Sequence, residues 1–163
     1  MTTALTKPFD IGIKKGDECR MKMAAVKIYQ GGAVGVVLAT GYATPMVVAT
    51  AGMRFVGVAE ETIDNSAGSA GDKWIRIKRT GLCGFDNTGL TVANVGQWVF
   101  FTDYDHQVQA TATAVPAGIL VAIDEASVAW VDITVAVVSQ VYVNTTDNKV
   151  YECGTTLKSS ALT

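Results

Sequence analysis

His106 is the only histidine in the chain of 163 residues, and Asp103 and Asp105 stand beside it. An imidazole near carboxylates can serve acid–base chemistry or bind a metal ion. A metal site needs several converging ligands, however, and no second histidine or glutamate cluster completes a coordination sphere. The side chains of adjacent turn residues splay outward, and the spacing differs from that of an EF-hand loop. We therefore expect no catalysis, no metal and no cofactor at this turn.

Nucleophilic catalysis has no better candidate in the sequence. A serine or cysteine nucleophile needs a base and an orienting group, and His106 is the only imidazole that could be the base. No Gly-x-Ser-x-Gly motif occurs, and the glycine-rich segments match neither the P-loop nor the dinucleotide fingerprint. Cys19, Cys83 and Cys153 are far apart and odd in number, which is typical of reduced, mostly buried thiols. The sequence thus predicts a protein that is not an enzyme.

The adjacent carboxylates of Glu60 and Glu61 follow a predicted strand. Successive side chains of a strand point to opposite faces, so the two carboxylates are not expected to share acid–base work. We interpret them as the solvated end of the strand.

Basic residues surround Trp74, with Lys73 before it and Arg76, Lys78 and Arg79 after it. A β-sheet that binds nucleic acid usually presents several aromatic side chains and a basic groove, and only one aromatic residue is present here. The charges predict either protection of a sheet edge against aggregation or contact with an acidic protein partner.

Composition and charge narrow the class of protein further. Hydrophobic residues make up 49% of the chain and charged residues 17%, below the average of about 25%. We see no uninterrupted apolar stretch near the ~18 residues of a membrane helix, and no signal peptide. Residues 1–27 carry a net charge of +3, which leaves −5 for the remainder of a chain with a total of −2. The leading segment is either a ligand for an acidic partner surface or an ordinary solvated tail.

The elements that position these residues are predicted to be strands. Apolar residues alternate with polar ones in many short runs, most clearly in residues 74–78, where Ile75 and Ile77 share one face. Turn clusters separate the runs, and residues 141–143 and 150–153 predict a terminal hairpin. Short spacing of this kind predicts an all-β fold, which is either a compact β-sandwich or a small barrel. A jelly-roll-like arrangement of the strands is compatible with the same pattern.

Three local interpretations accompany this fold. Residues 41–45 are expected to form a turn, and residues 64–72 an exposed and mobile loop. Residues 90–95 are the only predicted helical turn. Of Trp98, Phe100 and Phe101, at least two are expected in the core.

Four sequence segments follow one another in a distinctive order. They are AGMRFVGVAEETIDNS (51–66), WIRIKRTGLCGF (74–85), VGQWVFFTDYD (95–105) and AGILVAI (117–123) with AWVDI (129–133). This series resembles the decoration, or cement, proteins of tailed-phage capsids, in which a similar order of strands and glycine turns occurs. The resemblance covers residues 17–133.

The resemblance implies a β protein on the outside of an icosahedral head that clamps neighbouring major capsid subunits. It implies a virion location after synthesis in the host cytoplasm, self-association as a homotrimer or a dimer, and no nucleic-acid or membrane partner. Residues 1–16 would form an N-terminal arm, 17–134 the β decoration domain and 135–163 a C-terminal hairpin extension. Contacts to the capsid or to sister subunits are expected from basic and apolar residues: Lys7, Pro8, Phe9, Ile11, Lys14, Lys15, Arg76, Lys78 and Trp98.

Two alternatives stay open at the level of the sequence. One is another virion component, a head-fibre base or a minor tail protein. The other is a carbohydrate- or ligand-binding β-sandwich module, which would bind glycans rather than capsids.

Overall fold

The computed structural model describes residues 16–47, 52–102, 105–113, 115–124, 127–138, 141–144, 149–152 and 158–161, and of the last three segments the backbone alone. About half of the residues lie in strands and only 6% in helices, which confirms the predicted all-β class. The strands are β1 (Glu18–Lys22), β2 (Lys27–Ile28), β3 (Ala33–Val37), β4 (Ala43–Pro45), β5 (Met53–Ala59), β6 (Ile63–Asp64), β7 (Trp74–Lys78), β8 (Leu82–Asn87), β9 (Trp98–Phe101), β10 (Gln107–Gln109), β11 (Pro116–Ile123), β12 (Val128–Asp132), β13 (Val141–Asn144), β14 (Lys149–Glu152) and β15 (Lys158–Ala161). A 3-10 helix covers Val92–Asn94, and helix α1 covers Thr134–Val138.

The strands assemble into an open sheet and a closed barrel. The open sheet has the order β1-β7-β5-β3-β4, and the barrel has the order β10-β8-β12-β11-β9. Strand β10 closes the barrel by pairing in parallel with β8 and antiparallel with β9. Strands β2 and β6 form a two-stranded ribbon, and β13, β14 and β15 form a third sheet. The small barrel is therefore one of the two predicted architectures, combined here with a second sheet.

The larger core joins the barrel to one face of the open sheet. Phe101 of β9 stands between Phe55 of β5 and Phe85 of β8, with ring centroids at 4.9 and 5.4 Å and edge-to-face geometry. Such aromatic contacts add to the free energy of burial itself. Phe100 and Phe101 are both buried and Trp98 only partly, so the expectation that at least two of these aromatics belong to the core is confirmed.

A second, smaller core lies on the opposite face of the open sheet. It contains Ile75 and Ile77 of β7, which share one face as their alternation predicted, together with Met23, Ile28 and Val34. The outward residues of β1 and β7 are thereby left on the other face, where the barrel does not cover them. The second core thus fixes which side chains of β7 face solvent.

Two glycines allow the strands to bulge. One extra residue of β5 lies opposite β3 where Val34 pairs with Gly57, and β11 shifts its register between Pro116 and Gly118. Gly57 has φ 145° and Gly118 has φ 149°, which L side chains rarely adopt. Bulges of this type bend and twist a strand, and here they bend β5 and β11 beside the core that the sheet and the barrel share.

Several local expectations are corrected. Residues 41–45 contain strand β4, not only a turn, because Pro45 stands in a strand at the sheet edge, where a missing N–H is tolerated. The helical turn is shorter than predicted and covers only Val92–Asn94. Just before it, Asn87 Oδ1 accepts the N–H of Leu90 at 2.7 Å. Helix α1 was not predicted, since its sequence TVAVV is rich in β-branched residues.

The loop at residues 64–72 is exposed, as predicted, but it has a buried anchor. Asn65 is only 1% exposed, and its Nδ2 donates to the carbonyl oxygens of Ala24 at 3.0 Å and Ser69 at 2.9 Å. The bond to Ala24 ties the loop to the chain that follows β1, and the bond to Ser69 lies within the loop.

The structure describes strands in the C-terminal segment of the chain, whereas residues 1–15 lie outside the described residues. The predicted arm contacts Lys7, Pro8, Phe9, Ile11, Lys14 and Lys15 lie outside the described residues. The predicted terminal hairpin is present as β13 and β14, which pair antiparallel from Val141 with Glu152 to Asn144 with Lys149. Strand β15 extends this hairpin to three strands, which the sequence did not predict.

Candidate interaction surfaces

The outward side chains of β1 and β7 form the first candidate surface, which we call the basic face. Its members are Glu18, Arg20, Lys22, Trp74, Arg76 and Lys78, all exposed. The antiparallel register places Lys22 opposite Trp74, Arg20 opposite Arg76 and Glu18 opposite Lys78. Four cations and one anion give the face a net charge of +3.

Arg76 is the most constrained side chain of the basic face. Its Nε lies 3.1 Å from Glu60 Oε2, while its backbone N–H donates to Glu61 Oε1 at 3.1 Å. The two glutamates therefore converge on one residue, which corrects the expectation that they form a solvated strand end with opposed side chains. The reason is that β5 ends at Ala59, so strand alternation no longer applies to them. Glu60 holds the guanidinium in place beside Arg20, whose like charge would otherwise repel it.

Trp74 supplies an exposed aromatic surface among these charges. Its side chain is 51% exposed, and Lys22 Nζ lies 5.6 Å from the ring centroid. An open groove of about 630 Å³ runs beside it, lined by Glu18, Cys19, Arg20, Trp74 and Arg76. The groove combines cationic and aromatic groups, which suits an acidic protein surface.

The basic face also lies at a sheet edge. Among the described strands, β1 is hydrogen-bonded on one side only, to β7. Charged residues on such a strand reduce unwanted edge-to-edge pairing. The location at an edge is consistent with edge protection, and contact with an acidic partner stays a prediction.

The outward side chains of β8, β11 and β12 form a second candidate surface on the barrel, which we call the Trp130 face. Its members are Leu82, Gly84, Asp86, Ile119, Ala122, Val128, Trp130 and Asp132. Asp124 follows β11 at the border of this face. The three strands contain no lysine or arginine. Asp86, Asp132 and Asp124 therefore give the face three negative charges, which surround an apolar centre.

Trp130 is held in one orientation at the centre of this face. Its Nε1 donates to Asp124 Oδ2 at 3.3 Å, and Asp124 Oδ1 accepts the backbone N–H of Val128 at 2.8 Å. The indole lies across Gly84, where an added Cβ would stand 3.6 Å from ring atoms of Trp130 and 2.9 Å from Val128. Trp130 remains 39% exposed. A fixed, partly exposed indole is a typical anchor of a protein interface, because little side-chain entropy is lost on binding.

The only histidine lies at the rim of the barrel. His106 Nδ1 is 3.0 Å from Asp105 Oδ1, and His106 Nε2 is 3.8 Å from Asp86 Oδ2. The two neighbouring turn residues therefore do contact each other, unlike the splayed arrangement that the sequence suggested. Within the described residues, no group of three or more His, Cys, Asp or Glu side chains is arranged to hold a metal ion.

Three of the predicted contact residues lie in the part of the chain that the structure describes, and two of these share one surface. Arg76 and Lys78 lie two positions apart on β7 and share the basic face. Trp98 is on β9 of the barrel, where it is half-buried and packs against the larger core. Its role as a contact residue stays a prediction, as do the roles of the arm residues.

The Trp130 face was missed by sequence reasoning, although a signal existed. Residues 128–132 alternate, with Ala129 and Val131 buried and Trp130 outward. At the level of the sequence, residues 129–133 stand only among the segments that carry the resemblance, and Trp130 is not singled out as an outward residue. Its neighbour Gly84 comes from a strand some 46 residues earlier, a pairing that the sequence did not reveal.

Comparison of the chain with protein-family models, with curated proteins and with solved structures gives no match. In the part of the chain that the structure describes, no helix has the length and apolar character needed to cross a membrane.

Proposed function

We propose that this protein is a non-enzymatic structural component of a tailed-phage virion that binds the outer capsid surface and stabilises it. The ordered series of segments that resembles the capsid decoration proteins suggests this function. The observation that supports it most is the pair of exposed tryptophan surfaces of opposite charge on one β scaffold. A protein with two separate docking surfaces can bridge neighbours, which is what a capsid clamp must do.

Multiple copies make such a function physically reasonable. Each contact on a shell can be shallow, since linkage of many contacts raises the overall affinity far above that of one. The exposed edge of β1 and the exposed side chains of the two faces offer contacts of this kind. The proposal involves no catalytic step.

The test is binding of the purified full chain to expanded empty capsids of its own phage. We expect cosedimentation with the capsids and an increase in their melting temperature. Denatured protein and unexpanded shells serve as controls. Absence of cosedimentation would contradict the proposal, and binding to a glycan panel without binding to capsids would favour the carbohydrate-binding alternative.

A further inference from the structure

The two surfaces described above are complementary in charge. The basic face carries a net charge of +3, or +1 when Glu60 and Glu61, which both contact Arg76, are included, whereas the Trp130 face with Asp124 carries −3. Each has an exposed tryptophan, Trp74 at one end of the basic face and Trp130 at the centre of the Trp130 face. Complementary potentials of this kind guide association and select the partner.

We infer that the basic face of one copy of this chain binds the Trp130 face of a second copy. Pairing either face with its own kind would bring like charges together, +3 against +3 or −3 against −3, which opposes association. Pairing unlike faces removes that repulsion and buries both indoles. The contact is therefore head-to-tail, with different residues contributed by the two copies.

Head-to-tail contacts have a consequence that face-to-face contacts lack. After the first contact the pair keeps one free face of each kind, one on each copy, so further copies can add until the rotation closes a ring or a filament continues. The self-association is independent of the capsid, because it needs only residues of this chain. It also assigns Arg76 and Lys78 to a contact between sister subunits.

The geometry of the two faces favours stable docking. Glu60 holds Arg76 in place at 3.1 Å, and Asp124 with Gly84 holds Trp130 in place. The turn between β7 and β8 fixes one face relative to the other, because Gly81 accepts the N–H of Ile133 at 3.1 Å and donates to Thr134 Oγ1 at 2.9 Å. Prearranged side chains lose less entropy on binding, so a larger part of the contact energy contributes to affinity.

The test uses sedimentation velocity of the full chain in the absence of capsids. The wild-type protein should form oligomers at low salt and dissociate as the salt rises from about 0.1 M to about 1 M, where the Debye length falls from about 10 Å to about 3 Å. Arg20→Glu should weaken association by about tenfold or more. Trp130→Ala, which removes the anchor, should weaken it by about thirtyfold or more.

Lys27→Glu is the matched control for Arg20→Glu. Both substitutions change the formal charge of the chain from −2 to −4, but Lys27 lies on β2, outside both faces. Lys27→Glu should therefore associate like the wild type. Arg20→Glu keeps a charged residue on the edge strand, so its effect is not a loss of edge protection. Thermal unfolding of each variant verifies that it is folded.

Mixing two impaired variants gives the sharpest readout. Arg20→Glu retains an intact Trp130 face and Trp130→Ala an intact basic face, so an equimolar mixture should form heterodimers through one restored contact, and nothing larger. A wild-type protein that is monomeric at all salt concentrations would overturn the inference. So would equal effects of Arg20→Glu and Lys27→Glu, or a mixture that stays monomeric. A monomer that still binds capsids overturns the self-association alone, while an oligomer that ignores capsids overturns only the proposed function.

Discussion

The two glycines at the strand bulges, Gly57 and Gly118, have no space for a larger residue. A Cβ on Gly57 would collide with the carbonyl oxygen of Lys78, and a Cβ on Gly118 with that of Asp132. We expect Gly57→Ala to lower the free energy of unfolding by about 2 kcal/mol or more, because backbone strain adds to the collision. Urea unfolding measures the change.

Gly89 provides the matched control for this substitution. It has φ 76° but open space around the position of a Cβ, so Gly89→Ala carries only the conformational cost of about 1 kcal/mol. Equal losses for the two variants would show that the contact with Lys78 has no effect.

The thiol of Cys83 should make stability depend on alkaline pH. Burial raises its pKa, Asp132 acts in the same direction and Lys78 opposes them. Because the folded-state pKa lies above that of the unfolded chain, the stabilisation is complete below the unfolded value of about 8.5 and is lost as the pH rises through the folded-state value. Stability should therefore fall more steeply above about pH 8.5 in the wild type than in Cys83→Ala. Chemical denaturation measures the free energy of unfolding at each pH. The same dependence on pH in the wild type and in Cys83→Ala would contradict this prediction.

Among the elements, β9 links the barrel to the open sheet through Phe101. Phe101→Ala would leave a cavity between Phe55 and Phe85, and we expect a loss of about 3–5 kcal/mol in unfolding free energy. Val92→Ala is the comparison, since that side chain is 79% exposed and its truncation should cost less than about 0.5 kcal/mol. Similar losses at the two sites would mean that the shared core is not what holds sheet and barrel together.

The elements differ in how well the sequence predicts them. Strand β7 has clean alternation, because one of its faces is buried and the other solvated, and it was predicted correctly. Strand β4 was missed because Pro45 indicates a turn unless the strand is known to lie at an edge. Helix α1 was missed because the valines of residues 134–138 favour strands, and packing against β5 and β11 overrides that preference.

The whole molecule combines two cores, two exposed faces and a basic leading segment. We expect deletion of residues 1–16 to weaken attachment to capsids while the fold of the remaining chain stays intact, because that segment carries part of the +3 charge of residues 1–27. Capsid cosedimentation and thermal unfolding measure the two properties separately. Unchanged attachment would contradict the role of the arm, and loss of the folding transition would show that the segment is needed for stability.

The sequence by itself determined the all-β class, the terminal hairpin and the inward face of β7, because these depend on local alternation and on turn residues. It also indicated Arg76 and Lys78 as surface residues. Only the tertiary structure decided that β10 closes a barrel against β8, that Glu60 and Glu61 converge on Arg76, and that Gly84 supports the indole of Trp130. Such contacts join residues far apart in the chain, and no local pattern encodes the distance between them. The two faces of opposite charge therefore became visible only when the strands were assembled.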